Sequence, residues 1–173
     1  SVVDRIVEEV KSRTQAAGKV ILFGHSAGGQ FVHRWALLGG KKNVDVIAVA
    51  NSGWFTMPDR DIDYPYGIKN VGITDEELGE AFAKPVILFM GEKDVGRKPP
   101  FRDTPEADAQ GMNRMERCTN YFRQCKAKAE ELKVPFRWKL ETVEGAAHQG
   151  VKMAEGAAAY IFGKSSEDRN RRV

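Results

Sequence analysis

The sequence of 173 residues has few cysteines and little net charge. Its two cysteines, Cys118 and Cys125, lie seven residues apart on one predicted helix. That spacing separates them by about 10 Å along the helix axis, so they form neither a disulfide with each other nor a metal or redox pair. The formal charge of +3 gives no reason to expect a nucleic-acid or membrane partner. No apolar run is long enough to span a bilayer.

The chain also contains no internal repeat and no cluster of metal-ligating residues, so we expect no metal and no other cofactor. Only three histidines are present, which leaves few candidates for imidazole chemistry: His25, His33 and His148. The arginines at 169, 171 and 172 form a small basic end that we interpret as solvated. No signal peptide is present, but we expect the natural N-terminus to lie upstream of Ser1, so the localisation stays open, with the cytoplasm favoured.

The most informative segment has the pattern G-x-S-x-G between an apolar strand and a helix-like stretch. It predicts a sharp turn with Ser26 at its tip, and Gly24 and Gly28 supply the small neighbours that such a turn needs. The helix that follows would direct the amide of Ala27 at a developing oxyanion. This arrangement resembles the nucleophile elbow of the α/β-hydrolases. The alternative is a serine that only turns the chain or binds phosphate. The segment reads Gly24-His25-Ser26-Ala27-Gly28-Gly29.

Two further side chains follow later strands in the order that this fold uses, an acid and then a histidine. The apolar run 85–90 ends just before Asp94, and the alternating run 136–143 leads to His148. We therefore predict Ser26 as nucleophile, His148 as general base and then acid, and Asp94 as the orienting carboxylate. Glu92 and Asp103 are nearby alternatives for the acid. The other two histidines are expected to be packed or hydrogen-bonded rather than catalytic.

The predicted fold class is α/β, with the parallel sheet of the α/β-hydrolase fold but without its N-terminal strands. Four strands are expected, near 19–24, 44–50, 85–90 and 136–143. The first of these is wholly apolar, which is typical of a strand at the centre of a sheet, because an exposed edge there would favour aggregation. We therefore expect residues 1–163 to form a partial domain, with a frayed charged tail at 164–173. The missing half would come from upstream sequence or another polypeptide, and the piece alone is expected to self-associate. The alternative is a permuted or minimal hydrolase.

Other patterns predict local structure and a candidate pocket. Val3, Ile6, Val7 and Val10 have helical spacing, and Thr74 with Glu77 forms a capping box. The longest helix is expected over 112–132, with a buried stripe at Met115, Cys118, Phe122, Cys125, Ala129 and Leu132. Trp54, Phe55 and Met57 follow a strand where such sheets bind ligands, so they line a pocket or belong to the core. Trp54 and His25 are the candidate substrate-binding residues, and 59–72 forms either a small cap or a surface loop.

More narrowly, the chain resembles bacterial esterases of the polyhydroxybutyrate-depolymerase-like group. Three segments carry this resemblance: Ala50-Asn51-Ser52-Gly53-Trp54, Gln110-Gly111-Met112-Asn113-Arg114 and Gly145-Ala146-Ala147-His148-Gln149-Gly150. The resemblance implies a serine hydrolase that acts on small-molecule or polymeric carboxylic esters through an acyl-enzyme. An amidase, a thioesterase or an acyltransferase would use the same residues. A non-catalytic binding domain or an inactive fragment are the alternatives from other classes.

Overall fold

The computed structural model describes residues 2–14, 18–39 and 43–163. One or two helices separate each strand from the next in this part of the chain, as expected for a parallel sheet with crossover helices. The predicted tail at 164–173, with its arginines, lies outside the described residues. The elements are α1 Val2–Thr14, β1 Ile21–His25, α2 Ala27–Leu37, β2 Val46–Ala50, α3 Asp75–Phe82, β3 Val86–Gly91, α4 Pro105–Asp108, α5 Arg114–Glu131, β4 Lys139–Val143 and α6 Gly150–Phe162.

The four strands form one sheet in the order β1-β2-β3-β4, and every pair is parallel. The register aligns His25 with Ala50 and Ala50 with Phe89. Because parallel strands end at the same edge of a sheet, the loops after β1, β2, β3 and β4 all leave from one edge. This confirms the predicted α/β class and the predicted parallel sheet.

Two hydrophobic cores lie on the two faces of the sheet. Alternate residues of β2 and β3 face each core because successive side chains of a strand point in opposite directions. Ile47, Val49 and Leu88 pack with α2, α3 and α5. Ala48 and Phe89 pack with α6 on the other face. All six residues of β3 are buried, which explains its uninterrupted apolar sequence.

The strand β1 lies at one edge of this four-stranded sheet and pairs only with β2. Residues 21–23 are half-buried, whereas Gly24 is fully buried. The central position that its apolar sequence predicts is therefore not seen among the described residues. Its other edge has no strand partner in the part of the chain that the structure describes.

In two helices, α1 and α5, the buried face differs from the predicted one. In α1 only Val7 of the apolar stripe is fully buried, while Ile6 and Val10 are exposed, because the helix packs through one narrow line. In α5 Cys118, Cys125 and Ala129 are buried as predicted, and Met115, Phe122 and Leu132 are partly buried against the core. That buried face also contains a tyrosine and two arginines that apolar periodicity misses: Tyr121, Arg114 and Arg117.

Two smaller predictions are confirmed, one for the cap of a helix and one for the burial of the cysteines. The Thr74–Glu77 capping box is present, with both of its hydrogen bonds formed. Both cysteines are free thiols in the core, and burial raises the pKa of Cys118. Within the described ranges, no helix is both long and apolar enough to cross a membrane.

Candidate functional site

The turn between β1 and α2 holds Ser26 in a backbone conformation that L-residues rarely adopt, with φ 55° and ψ −116°. The predicted need for glycine at 24 is confirmed, since a Cβ there would lie 2.4 Å from the Gly28 carbonyl oxygen. Among the described residues, a Cβ on Gly28 meets nothing within 4 Å, so the same prediction for Gly28 is wrong for this part of the chain. The second required glycine is Gly29, where a Cβ would lie 2.6 Å from Ser52 Oγ.

Ser26, His148 and Asp94 meet at the edge of the sheet where the strands end. His148 Nε2 lies 2.9 Å from Ser26 Oγ, and His148 Nδ1 lies 2.7 Å from Asp94 Oδ2. A carboxylate only accepts hydrogen bonds, so Nδ1 carries the proton and Nε2 is free to accept from the serine hydroxyl. Asp94 is only 4% exposed, whereas Ser26 and His148 are half-buried.

The two alternative acids occupy other positions. Glu92 is exposed and accepts a hydrogen bond from the Gly145 amide at 2.7 Å. Asp103 is exposed in the loop that follows Asp94. Of the three acids, Asp94 is the one within hydrogen-bond distance of His148.

The loop with Asp94 and the loop with His148 are joined directly to each other. Lys93 N donates to Ala146 O at 2.8 Å, and a Cβ on Gly91 would lie 2.7 Å from that same oxygen. Asn51 bonds to both loops, since its Oδ1 accepts from Gly91 N at 2.7 Å and its Nδ2 donates to Ala147 O at 3.0 Å. Asn51 also has φ 45°, a conformation that asparagine tolerates better than most residues. It fixes the loops relative to each other.

No sequence pattern predicts a role for Asn51 or for Arg114. Both lie in segments that carried the family resemblance, and that was the only signal. Arg114 Nη1 lies 3.0 Å from Asp94 Oδ1, and both side chains are 5% exposed. Its Nη2 donates to Pro100 O at 2.5 Å. The carboxylate of Asp94 therefore has a separate partner on each oxygen.

The other two histidines take different positions. The ring of His25 lies against the ring of His148, with 4.7 Å between centroids. Burial, and then the nearby His148, lowers the pKa of His25, which favours its neutral form. His33 is fully buried, with Nδ1 3.0 Å from Gly29 O and Nε2 accepting from Thr56 N at 3.0 Å. It is the packed, hydrogen-bonded histidine that was predicted.

The predicted pocket residues are buried. Phe55 and Met57 belong to the main core. Trp54 packs against Tyr66 at 4.8 Å between centroids, and Arg34 and Arg102 lie over its indole ring at 4.8 and 5.4 Å. Substrate binding by Trp54 or His25 stays a prediction. Among the described residues, no group of three His, Cys, Asp or Glu side chains is arranged to hold a metal ion.

Two solved structures share this fold and part of this sequence. One is poly(aspartic acid) hydrolase-1 from Sphingomonas sp. KT-1, with 33% identity and a TM-score of 0.85 over 91% of this chain and 60% of that one. The other is LpqC, a poly(3-hydroxybutyrate) depolymerase from Bordetella parapertussis, with 30% identity and a TM-score of 0.85 over 98% of this chain and 59% of that one. No protein family model matches the chain, and no curated protein matches it.

The parallel sheet and its crossover helices define the class as α/β, and these two similarities define the group within it. The two similarities support an esterase-like family of the α/β-hydrolase superfamily for this chain. It spans about 60% of the length of the two structures to which it is similar.

Proposed function

We propose that this chain carries the catalytic triad of a serine hydrolase that acts on carboxylic esters. The observation that supports this most directly is the continuous hydrogen-bonded path from Ser26 Oγ through His148 to Asp94, at 2.9 and 2.7 Å. The same path occurs on unrelated folds wherever a serine must be activated, so its geometry indicates a role independently of sequence similarity.

In the proposed mechanism, Ser26 Oγ forms a bond to the ester carbonyl carbon while its proton passes to His148 Nε2. The carbonyl oxygen becomes an oxyanion. The amides of the first turn of α2, with Ala27 first, have no intrahelical partner and would donate to it. The C–O bond of the leaving alcohol then breaks, and His148 returns the proton to that alcohol. Asp94 stabilises the imidazolium throughout and does not take the proton.

Deacylation would use the same side chains, with a water molecule as the nucleophile. A water molecule gives a proton to His148 Nε2, and its oxygen attacks the acyl carbon bound to Ser26. The bond to Oγ then breaks, the proton returns to Oγ and the carboxylic acid leaves. Every proton in this cycle moves through one imidazole nitrogen, so the path from Ser26 to His148 is required twice per turnover.

The names of the two similar structures suggest the substrate class. Poly(3-hydroxybutyrate) is a polyester, which favours ester bonds for this chain as well. Poly(aspartic acid) is a polyamide, so amide hydrolysis is the second candidate. Small-molecule or polymeric esters are the proposed substrates, and neither a metal nor a cofactor has a part in the proposed steps.

The test is hydrolysis of short p-nitrophenyl esters by the full-length protein, beside matched p-nitroanilides. Ser26→Ala should lower kcat by roughly 10⁴–10⁶-fold, the loss seen when a triad serine is removed. Ser52→Ala removes another buried hydroxyl near the turn and should leave the rate unchanged. Faster cleavage of anilides than of esters would favour the amide candidate. An unchanged rate in Ser26→Ala would exclude Ser26 as nucleophile.

A further inference from the structure

We propose that Arg114 is a positioning residue, whose guanidinium holds Asp94 in the orientation that lets Oδ2 accept the hydrogen bond of His148. This inference rests on the proposed function, because it gives Arg114 a part in the same site. It also makes a claim that does not depend on turnover, namely that the His148–Asp94 hydrogen bond requires Arg114.

The local structure directs Arg114 to the acid. Arg114 is the first residue of α5, and Asn113 caps that helix by accepting from Glu116 N at 2.9 Å. The side chain then reaches the end of β3, where its Nη1 lies 3.0 Å from Asp94 Oδ1. Both side chains are almost fully buried, so water competes little with this ion pair.

An aspartate carboxylate is not held in place by its own torsion preference. Its χ2 angle has a broad distribution, so a carboxylate with one partner can turn about the Cβ–Cγ bond. Asp94 has partners on different oxygens, with His148 on Oδ2 and Arg114 on Oδ1. Among the residues that the structure describes, Oδ1 has no second hydrogen bond. Loss of the guanidinium therefore frees the rotation that would break the bond to His148.

Arg114 is itself fixed on two sides. Its Nη2 donates to Pro100 O at 2.5 Å, and its guanidinium carbon lies 5.1 Å from the centre of the Phe101 ring. Both residues belong to the loop that follows Asp94. A planar guanidinium can donate to the carboxylate and to this loop through separate nitrogens. The single ammonium of lysine has the same charge but lacks this geometry.

A second buried arginine on the same helix provides a matched control. Arg117 donates to Gly111 O, Gly53 O and Asp108 Oδ1, and none of these is a proposed catalytic group. It is fully buried. Its loss should weaken the fold without changing the orientation of Asp94. A role of Arg114 in stability alone would make the two variants behave alike.

The kinetic experiment compares Arg114→Met with Arg117→Met in the full-length protein, with rates referred to the folded fraction measured by near-UV circular dichroism. We expect Arg114→Met to lower kcat for a p-nitrophenyl ester by about 10–100-fold, the effect of a misplaced catalytic group, with KM little changed. Arg114→Lys should recover part of that loss. An equal kcat in Arg114→Met and Arg117→Met would overturn the proposal. If the methionine variants do not fold, Arg114→Lys and Arg117→Lys are compared in the same way.

A double-mutant cycle tests whether Arg114 acts through Asp94. In an Asp94→Asn background, adding Arg114→Met should cause no further loss of kcat, because the group that Arg114 orients is already altered. The same fold-loss in both backgrounds would show that Arg114 acts elsewhere.

Proton NMR provides the readout that needs no turnover. The low-field proton resonance of the His148 Nδ1–H bond, identified by its loss in His148→Gln, should shift or disappear in Arg114→Met and remain in Arg117→Met. An unchanged resonance in Arg114→Met would overturn the role of Arg114. Absence of ester and amide hydrolysis by the unmodified protein would instead overturn the proposed function, so the two failures are distinguishable.

Discussion

The neutral, buried His33 should make the stability of the fold depend on pH. Burial lowers the pKa of His33 from 6.5 to about 3, because the charged imidazolium loses its hydration. The hydrogen bonds agree with a neutral ring, since Nε2 accepts from Thr56 N and Nδ1 is left to donate to Gly29 O. Protonation of Nε2 would make it a donor facing the Thr56 amide, which is also a donor.

The size and sign of this effect follow from proton linkage. Below pH 6.5 the unfolded chain binds a proton at this histidine that the folded chain does not bind, so stability falls as the pH falls towards 3. Each pH unit corresponds to about 1.4 kcal/mol. Between pH 6.5 and pH 5 the loss is therefore about 2 kcal/mol, and over the whole interval down to pH 3 it reaches about 5 kcal/mol.

The assay is urea unfolding of the full-length protein and of His33→Gln at pH 7.5 and pH 5.0. Glutamine can accept from Thr56 N but does not titrate, so the variant should lose about 2 kcal/mol less than the unmodified protein over this interval. The pH dependence of the variant is compared with that of the unmodified protein because the lowered pKa of His25 makes both proteins less stable at low pH. An identical pH dependence in the two proteins, with equal m-values, would refute the reasoning.

Two further predictions concern the turn and the loops of the site. Gly24→Ala should destabilise the protein by about 1–3 kcal/mol in urea unfolding, because the new Cβ meets a backbone oxygen. Gly28→Ala should not destabilise it, and an equal loss of unfolding free energy in the two variants would contradict this. Asn51→Asp should lower kcat by about 10–100-fold with little change in KM, because a carboxylate oxygen would then face the Ala147 carbonyl. Asn51→Gly accepts the positive φ but makes neither bond, so full activity in that variant would show that only the backbone conformation matters.

Much of the fold is predictable from the sequence because apolar patterns report burial directly. The apolar run at 85–90 predicts a strand, and β3 is present there and buried throughout. The order of serine, acid and histidine was also readable, because each follows a strand whose end lies at the same edge of the sheet.

The rest depends on contacts between residues far apart in the chain. Arg114 and Arg117 are buried against partners that are distant in the sequence. Asp94 is 20 residues from Arg114, and the Gly53 carbonyl is 64 residues from Arg117. Asn51 joins Gly91 and Ala147 across 40 and 96 residues. No local pattern encodes such pairs. Hydrophobic periodicity counts only apolar positions, so it misses a polar side chain whose partners make its burial favourable.

We propose that His148, oriented by Asp94, activates the hydroxyl of Ser26. The most direct measurement is the rate at which a fluorophosphonate modifies the full-length protein, with the modified residue located by peptide mass spectrometry. The claim predicts one adduct, on Ser26, formed far more slowly in His148→Gln. An adduct on another residue, or the same rate on Ser26 without the imidazole, would contradict it.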